Sequence, residues 1–486
     1  MKKGLCVPGC AVLILLLLTG STAFRGEQVL SAAPESAQTG TPSNQMSWGP
    51  SLEGAVKGTL TLTTDDFLAV PQAVAAEAGL QGASQFAVAK EAPTVDLALC
   101  GGLEMNKALH PWWSAWGDIC VARDGCVYSG VGDHGDEAAG TSELYLYRWD
   151  PKTKQYSRLL DVNRLVKREN GEPTFSKIHA RIEEGADGRI YFTATIDNGA
   201  AAGDPKYKWS DVLPGGQLYA YDPGTDRTEI VVNLPARRCS TASRLDSRRN
   251  IWWCNLDGDK TDAMWAYNLT TKKEVFRGPD GSVKMNRNFA LARDGAVYFN
   301  GKDSFIWKVD PETSAMNPTK SQFPREQFMR CSTDQNEAGD IYGVTVPDGM
   351  KTKEFNLFRY NVQADTLELL GKELTSGHYT TACVMSPDGR YVYYVPGAPG
   401  VPVVQYDIAR NQRKVIAFLG EAVEKRTRYI VGTVFGLKMS ADGSTLYGHT
   451  NGYSYQGEKP VGEVELAKVG WSVVSFVAIH IPAAER

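Results

Sequence analysis

The sequence predicts an all-β fold, a seven-bladed β-propeller of four-stranded antiparallel blades whose ring is closed by an N-terminal strand. Three observations predict it. A tight turn, usually Asp-Gly, leads into an aliphatic-aromatic pair seven times, at intervals of 44 to 63 residues. An alternating apolar stretch that ends in Asp-Pro or Asn follows most copies. A repeat of this length indicates a repeat architecture, and four antiparallel strands in each of seven repeats are typical of a propeller.

The turn motif predicts the first hairpin of each blade. Asp-Gly between two β-rich runs favours a hairpin turn in which both positions take φ > 0. We therefore expect an inner strand before each turn and a second strand after it. The seven aromatic positions are Tyr128, Tyr191, Trp252, Tyr298, Tyr342, Tyr393 and Tyr447.

The second motif predicts the third and fourth strands. Its apolar residues alternate with period two, as in residues 219–222 and 307–310, which is the periodicity of a half-buried strand. The Asp or Asn at its end makes a turn into an outer strand such as residues 155–160. No run of 10 to 15 residues between the strands has helical periodicity, so βαβ units are not expected.

The last repeat lacks one strand. It has a hairpin (437–450) and a late strand (473–481), and an open edge would invite aggregation. We expect residues 58–64 to supply the missing strand and close the ring, since apolar residues alternate with threonines there; a separate cap over residues 50–108 is the alternative. The expected domains are a signal peptide (1–23), a disordered linker (24–50), an N-terminal extension that contributes the closing strand (51–109) and the propeller (110–486).

The N-terminus and the composition indicate an exported protein. Lys2 and Lys3 precede an apolar run (11–18) and small residues (20–23), the pattern of a secretory signal peptide. We expect a secreted or periplasmic monomer with no membrane span after signal cleavage. The net charge of −4 gives no reason to expect nucleic-acid binding, which would require a basic stripe.

Polar and aromatic residues gather at one face of the predicted ring. The loop before each inner strand and the loop between the second and third strands open on the same face, which we call the mouth. Six of the seven blades place a His or Arg there, and five of the six histidines sort to it. Any single member could instead satisfy neighbouring backbone groups, but a cluster of cations around a channel is stabilised by an anion, and aromatic residues could stack on sugar rings. The candidate substrate-binding residues are His110, Trp112, Trp113, Trp209, Arg287, Asn288, Arg330, His378, Tyr379 and His449.

Arg, His and Tyr around an anionic ligand suit β-elimination at a uronic acid. A cation neutralises the carboxylate and acidifies the neighbouring C–H, a neutral His or Tyr removes that proton, and a second group protonates the leaving oxygen. The predicted function is therefore a carbon–oxygen lyase that acts on an acidic polysaccharide or oligosaccharide. Two alternatives stay open: a non-catalytic propeller that binds glycan or protein, and a metal-dependent lactonase or other small-molecule enzyme. No cofactor is specifically indicated. A divalent metal (Mn, Zn or Ca) is a candidate, and imidazole suits Mn or Zn, but no short ligand spacing supports a site.

The repeated Asp-Gly-x-Ile-Tyr and Tyr-Asp-Pro pattern resembles a group of secreted propellers that includes virginiamycin B (streptogramin) lyase and gluconolactonase-like proteins. Residues 177–192 are especially similar to a blade of that group, and the likeness, over roughly residues 115–450, implies fold more than activity. The architecture is also similar to that of ulvan lyases, which work with His, Tyr and Arg on one face, and of oligogalacturonate lyases, which use a His-rich manganese site. No family motif matches residue by residue. By analogy with the ulvan lyases, the candidate catalytic residues are His134, His179, Tyr207, Arg238 and Arg244.

Overall fold

A computed structural model describes most of the chain that follows the predicted linker. The described residues are 53–76, 86–100, 103, 113–133, 135–166, 168–169, 171–196, 202–258, 262–285, 287–324, 326–350, 354–374, 380–453, 455–456, 459–460 and 473–486. The chain divides into Met1–Gln45 and Met46–Arg486, and every described residue belongs to the second unit. The expected signal peptide and the expected linker lie outside the described residues.

Seven sheets of four antiparallel strands form a ring, which confirms the predicted fold class. Within blades one to six the four strands follow one another in chain order, so each blade is a meander. Blade one has a divided inner strand, Trp113–Ser114 and Cys120–Val121, followed by Val127–Asp133, Leu144–Asp150 and Gln155–Asp161. Blade two comprises Glu183–Glu184, Ile190–Ala194, Gln217–Asp222 and Arg227–Asn233, and blade three comprises Ser243–Asp246, Ile251–Leu256, Ala263–Asn268 and Lys273–Arg277. Blade four comprises Phe289–Leu291, Val297–Asn300, Phe305–Val309 and Met316–Gln322. Blade five comprises Gln327–Ser332, Asp340–Pro347, Asn356–Asn361 and Thr366–Lys372, and blade six comprises Cys383–Met385, Tyr391–Tyr394, Pro402–Asp407 and Gln412–Phe418.

The hairpin turns lie where the repeat predicts them, but their geometry differs from the prediction. Each has one left-handed residue rather than two: Gly125 has φ 85°, whereas Asp124 before it has an ordinary negative φ. The Asp124 carboxylate accepts a hydrogen bond from the Cys126 amide at 2.8 Å, and the Gly125 amide donates to the Ala122 carbonyl at 2.9 Å. This is a type I turn followed by a left-handed glycine. The same positive φ recurs at Gly188, Asn250, Gly295, Gly339, Gly389 and Gly443.

The repeated aromatic residues form the core between blades. All seven are buried. Tyr128 of blade one packs on Tyr221 of blade two with ring centres 6.1 Å apart, and Tyr298 of blade four packs on Tyr360 of blade five at 5.5 Å. The aromatic residue after one turn thus contacts the third strand of the next blade. Each such side chain contributes about 2 kcal/mol through burial, so the repeat motif stabilises the contacts between blades as well as the hairpin.

Blade seven contains strands from both ends of the described chain. Ile430–Met439, Thr445–Tyr453 and Val473–His480 continue the blade pattern, and Thr94–Leu99 pairs antiparallel with Val473–His480. Thr59–Thr63, which lies in the segment singled out from the sequence, pairs with Thr94–Leu99 one strand further out. Residues 94–99 therefore occupy the edge of blade seven that the repeat pattern leaves open.

Short helices lie in the connections outside the blades. Leu419–Thr427 joins blade six to blade seven, and no helix is expected there from the sequence. Its buried residues lie on one face, and two basic residues in its last turn complement the helix dipole. None of the helices in the described part of the chain has the length and apolar character needed to span a bilayer. The remaining elements are Gln72–Ala76, the 3-10 turns Asp65–Leu68, Val162–Leu165, Asp348–Met350 and Ala483–Glu485, the parallel edge strand Phe86–Val88 on blade six, and the strand pair Tyr455–Gln456 and Lys459–Pro460.

Candidate functional site

A funnel lies where the inner strands of all seven blades converge. Its cavity volume is about 40 Å³, and its wall consists of residues within or just before the first strand of each blade. These are the positions that the sequence analysis assigned to the mouth. The funnel is lined by Trp116, Gly117, Asp118, His179, Arg181, Thr241, Ala242, Ser243, Arg287, Asn288, Arg330, Cys331, Thr381, Ala382, Phe435 and Gly436.

Cations dominate the charged groups of the funnel. Arg181, Arg287, Arg330 and the imidazole of His179 line it, and Asp118 is the one carboxylate among the lining residues that the structure describes. Asp118 already pairs with Arg181 at 3.3 Å. The funnel therefore presents an excess of positive charge to a ligand.

Arg287 and His179 meet in the funnel although they come from different blades. A guanidinium nitrogen of Arg287 lies 2.8 Å from Nδ1 of His179 and also contacts Nε2. A guanidinium only donates hydrogen bonds, so the imidazole accepts one and is neutral in this arrangement. Neutral imidazole can remove a proton near pH 7.

Arg330 and Asn288 are held in place by their neighbours. The Arg330 guanidinium donates to the Thr381 carbonyl at 3.5 Å, and the Asn288 amide donates to the Ser332 hydroxyl at 3.0 Å. Both side chains are buried for most of their surface. Packing and hydrogen bonds fix their direction before any ligand arrives, which is the condition for a preorganised polar site.

Trp116 and Phe435 give the funnel an apolar wall. Their rings meet edge to face with centres 4.9 Å apart, and the Trp116 ring also lies edge to face with His179 at 6.4 Å. The Lys177 ammonium nitrogen is 4.2 Å from the centre of the same indole ring, a cation–π contact. Trp116 therefore connects the funnel to Lys177, which lies behind its wall.

A buried acid, Glu137, accompanies Lys177 behind this wall. The Ser176 hydroxyl donates to one of its carboxylate oxygens, and the Tyr207 hydroxyl donates to the other at 3.0 Å. Burial raises the pKa of Glu137 to about 7, although both hydroxyls oppose the shift. Burial, reinforced by Arg287, lowers the pKa of Lys177 to about 7. Two titratable groups whose pKa values are shifted to about 7, beside a concave site, are typical of functional centres.

Ion pairs fill the axis of the ring next to the funnel. Asp118 pairs with Arg181 and, at 3.1 Å, with Lys438, and Arg244 pairs with Asp334 at 2.7 Å. Burial opposes ionisation of Asp118, but Lys438 and Arg181 outweigh it and hold the pKa of this carboxyl below its usual value. We call these five residues the ionic plug. A second cavity of about 520 Å³ adjoins the plug among the hairpin turns, and Arg181 lines both cavities.

Three of the predicted catalytic residues lie outside the funnel wall. Tyr207 is buried against Glu137, and Trp209, a predicted binding residue, packs on Tyr207 with ring centres 6.1 Å apart. Arg238 pairs with Asp280 at 3.0 Å. Arg244 belongs to the ionic plug.

Two predicted binding residues are fully buried. Trp113 stacks on Tyr145 with ring centres 5.8 Å apart, and His449 donates from Nε2 to the Gly117 carbonyl at 2.9 Å. Neither side chain lines the funnel. His179, Arg287, Asn288 and Arg330 are the predicted residues that do line it. His110, Trp112, His134, His378 and Tyr379 lie outside the described residues.

Several site residues were not among the sequence-based candidates. Arg181 could have been found, because it follows His179 by two positions and alternate residues of an extended segment share one face. Glu137 had no comparable signal, since its burial depends on Tyr207 of the next blade. The others are Trp116, Asp118, Lys177 and Phe435.

The described residues contain no group of three or more His, Cys, Asp or Glu side chains that could hold a metal ion. The seven cysteines within them are free thiols. His134 and His378 are outside the described residues.

Comparisons with known proteins found distantly similar structures but no similar sequence. No family model and no curated protein sequence matches the chain, so the resemblance to the virginiamycin B lyase and gluconolactonase-like group has no support from a family match. An oligogalacturonate lyase in complex with manganese is similar in structure, with a TM-score of 0.47 and 10% identity over 82% of this chain and 96% of that chain. An oligogalacturonate lyase from Vibrio parahaemolyticus has a TM-score of 0.49 and 9% identity over 82% and 97%. A chain of the mitotic checkpoint complex has a TM-score of 0.46 and 10% identity over 79% and 93%. At this level of identity the likeness concerns the fold alone.

Proposed function

We propose that this protein is a lyase that binds a uronic-acid-containing oligosaccharide or polysaccharide in the funnel and cleaves it by β-elimination. One observation carries the proposal: His179, Arg287 and Arg330, from blades two, four and five, converge on one cavity. Guanidinium groups bind carboxylates with two parallel hydrogen bonds, and a neutral imidazole beside them can act as a base. A sugar ring can pack against the wall formed by Trp116 and Phe435.

Three of the lining residues have a role in this reaction. Arg287 and Arg330 neutralise the uronate carboxylate and so stabilise the negative charge that develops when the neighbouring C–H loses its proton. Arg287 releases the His179 ring as it turns to the carboxylate, and His179 takes that proton. A carbon–carbon double bond forms, the bond to the glycosidic oxygen breaks, and that oxygen takes a proton from water. The product carries an unsaturated uronate.

The site of action in this proposal is outside the cytoplasm, as a secreted or periplasmic monomer. The support is the basic, apolar and small-residue succession of the first 23 residues. Acidic polysaccharides are extracellular polymers, which is consistent with export of an enzyme that cleaves them.

The test is incubation of the purified protein with ulvan, pectate, alginate and glycosaminoglycans, with ultraviolet absorbance as the readout for the unsaturated product. We expect one substrate to give a rising signal. His179→Gln should lower the rate about 100-fold or more, because a positioned general base contributes at least that factor. Arg287→Met and Arg330→Met should lower it comparably by removing charge stabilisation.

Arg359→Met is the matched control, because Arg359 pairs with Glu368 on the outer face of blade five. It should leave the rate unchanged. If the protein binds a glycan but forms no unsaturated product from any substrate, the lyase proposal is rejected in favour of a non-catalytic glycan-binding propeller. Activity that survives all three funnel variants would place the reaction elsewhere.

A further inference from the structure

The buried pair Glu137 and Lys177 has no role in the reaction as proposed above. Both side chains are about nine-tenths buried, with relative exposures of 6%. Burying an acid and an amine is costly unless they are compensated by nearby groups. A costly buried acid and amine beside a binding cavity indicate a functional role.

The pair is coupled to the funnel by contact. Lys177 lies over the Trp116 ring, which lines the funnel, and Trp116 in turn contacts His179. Lys177 and Arg287 repel each other, and Arg287 contacts His179. A charge on Lys177 therefore acts on both the aromatic wall and the anion-binding guanidinium.

The charge of the pair changes near neutral pH. Burial brings the pKa of each group to about 7, from below for Glu137 and from above for Lys177. The pair is thus positive at acid pH, neutral overall near pH 7 and negative at alkaline pH. The groups that face it are Ser176, Tyr207 and Lys206 around Glu137, with Arg287 and Trp116 around Lys177.

We propose that Glu137 and Lys177 are a positioning pair whose combined charge sets the affinity of the funnel for anions. The proposal rests on the anion site described under the proposed function, and it adds the groups that tune it. When the pair is positive, the funnel attracts the ligand carboxylate more strongly; when the pair is negative, it opposes binding. Neither side chain touches the ligand, so the effect is electrostatic and acts through Trp116 and Arg287.

The test measures binding of trigalacturonate, and separately of inorganic sulfate, by calorimetry at pH 6 and pH 8. Wild-type affinity should fall about tenfold or more between these values, since a change in charge this close to an anion is worth at least 1.4 kcal/mol in a partly buried site. Lys177→Met should weaken binding about tenfold at pH 6. Lys177→Arg should keep the positive charge at position 177 at both pH values and remove about half of the decline, because Glu137 still titrates. Glu137→Gln should strengthen binding at pH 8.

Lys308→Met is the control for loss of one positive charge far from the funnel, and it should change nothing. Urea unfolding of each variant verifies that it is folded. Infrared difference spectra supply a readout without ligand: a band from a buried protonated carboxyl should appear as the pH falls through 7 and be absent in Glu137→Gln. A band that appears only at the pH of an ordinary carboxyl would overturn the proposal.

The two proposals fail in different ways. Unchanged pH profiles in the Lys177 and Glu137 variants, with anion binding intact, would reject the positioning pair and leave the lyase standing. Variant-dependent binding without any unsaturated product would reject the lyase and support the pair. Absence of binding of either anion in every protein at both pH values would reject both.

Discussion

The imidazole of His449 lies in the core and is hydrogen-bonded to the backbone of Gly117, which lines the funnel. It is fully buried, and its Nε2–H donates to the carbonyl of Gly117, next to Trp116. Nδ1 has no hydrogen-bond partner among the described residues, so a proton there would be buried without compensation. Burial accordingly lowers the pKa of His449 from 6.5 to about 4. His449 is a neutral structural group in the folded protein.

This state of His449 predicts an acid-sensitive fold. The unfolded chain binds a proton at His449 below pH 6.5, whereas the folded protein does so only near pH 4. Stability from this group is therefore complete above pH 6.5 and falls as the pH decreases to 4, by about 3 kcal/mol in total. His449→Gln, which cannot titrate, should lose about 3 kcal/mol less than the wild type between pH 7 and pH 4 in urea unfolding. Equal losses in both proteins would mean that the folded state protonates His449 at its usual pH.

At the scale of elements, Asp96 joins three parts of the structure. It lies on Thr94–Leu99 and accepts hydrogen bonds from Thr61 at 2.5 Å, Lys154 of blade one at 2.8 Å and His480 of the last strand at 2.8 Å. Burial opposes its ionisation, but His480, Lys154 and Thr61 outweigh it and lower the pKa of Asp96 to about 2. The N-terminal strand is thus tied to both the last blade and the first.

We expect Asp96→Asn to lower the free energy of unfolding by about 3 kcal/mol at pH 7, because it leaves Lys154 and His480 without their carboxylate. A carboxyl with a lowered pKa stabilises the fold above its unfolded pKa of 3.8 and loses that contribution as the pH falls to about 2. The difference between variant and wild type should therefore shrink over this interval. Chemical unfolding at several pH values measures it, with Glu312→Gln on an exposed turn as control. A difference independent of pH would assign the effect to packing rather than to charge.

At the scale of the whole molecule, the ionic plug joins blades around the axis. Arg181, Arg244 and Lys438 come from blades two, three and seven, and they meet Asp118 of blade one and Asp334, which follows the first strand of blade five. Largely buried ion pairs such as Asp118–Arg181 add little to stability as pairs, but breaking one leaves a charge in the interior. The plug therefore contributes more to the specific arrangement of the blades than to the free energy of unfolding.

Arg244 belongs to the ionic plug, whereas the sequence predicted a catalytic role for it. Substituting Arg244 distinguishes the two roles. Its side chain is 4% exposed, whereas that of Asp334 is 81% exposed. Arg244→Met should lower the free energy of unfolding by about 3 kcal/mol, because it removes the ion pair with Asp334 and leaves the buried Ser332 carbonyl without this donor. Asp334→Asn should cost less, about 1 kcal/mol, since solvent can replace its contacts. Urea unfolding measures both. If Arg244→Met loses lyase activity but keeps the free energy of unfolding of the wild type, Arg244 has the catalytic role that the sequence predicted.

Much of the architecture was predictable because its signals are local. A turn glycine, the two-residue alternation and an Asp-Pro stop each depend on a few neighbouring residues, and all seven turns carry the left-handed residue where the repeat places it. The helix Leu419–Thr427 was missed because it is a single nine-residue connection within a β repeat. The sequence favoured residues 58–64 as the closing strand, but Thr94–Leu99 is the segment that pairs with Val473–His480. Both segments have the alternation of a strand, so their sequences do not distinguish which one pairs there.

The amino-acid sequence alone determined the number of blades, the positions of their hairpins and the presence of His179, Arg287 and Arg330 at one face. The tertiary structure decided which polar side chains meet there. It placed His449 and Trp113 in the core, Arg244 in the ionic plug, and Glu137 and Lys177 together behind Trp116. The reason is physical: strand and turn preferences act over a few residues, whereas burial, charge pairing and shifted pKa values arise only when side chains from distant blades come into contact.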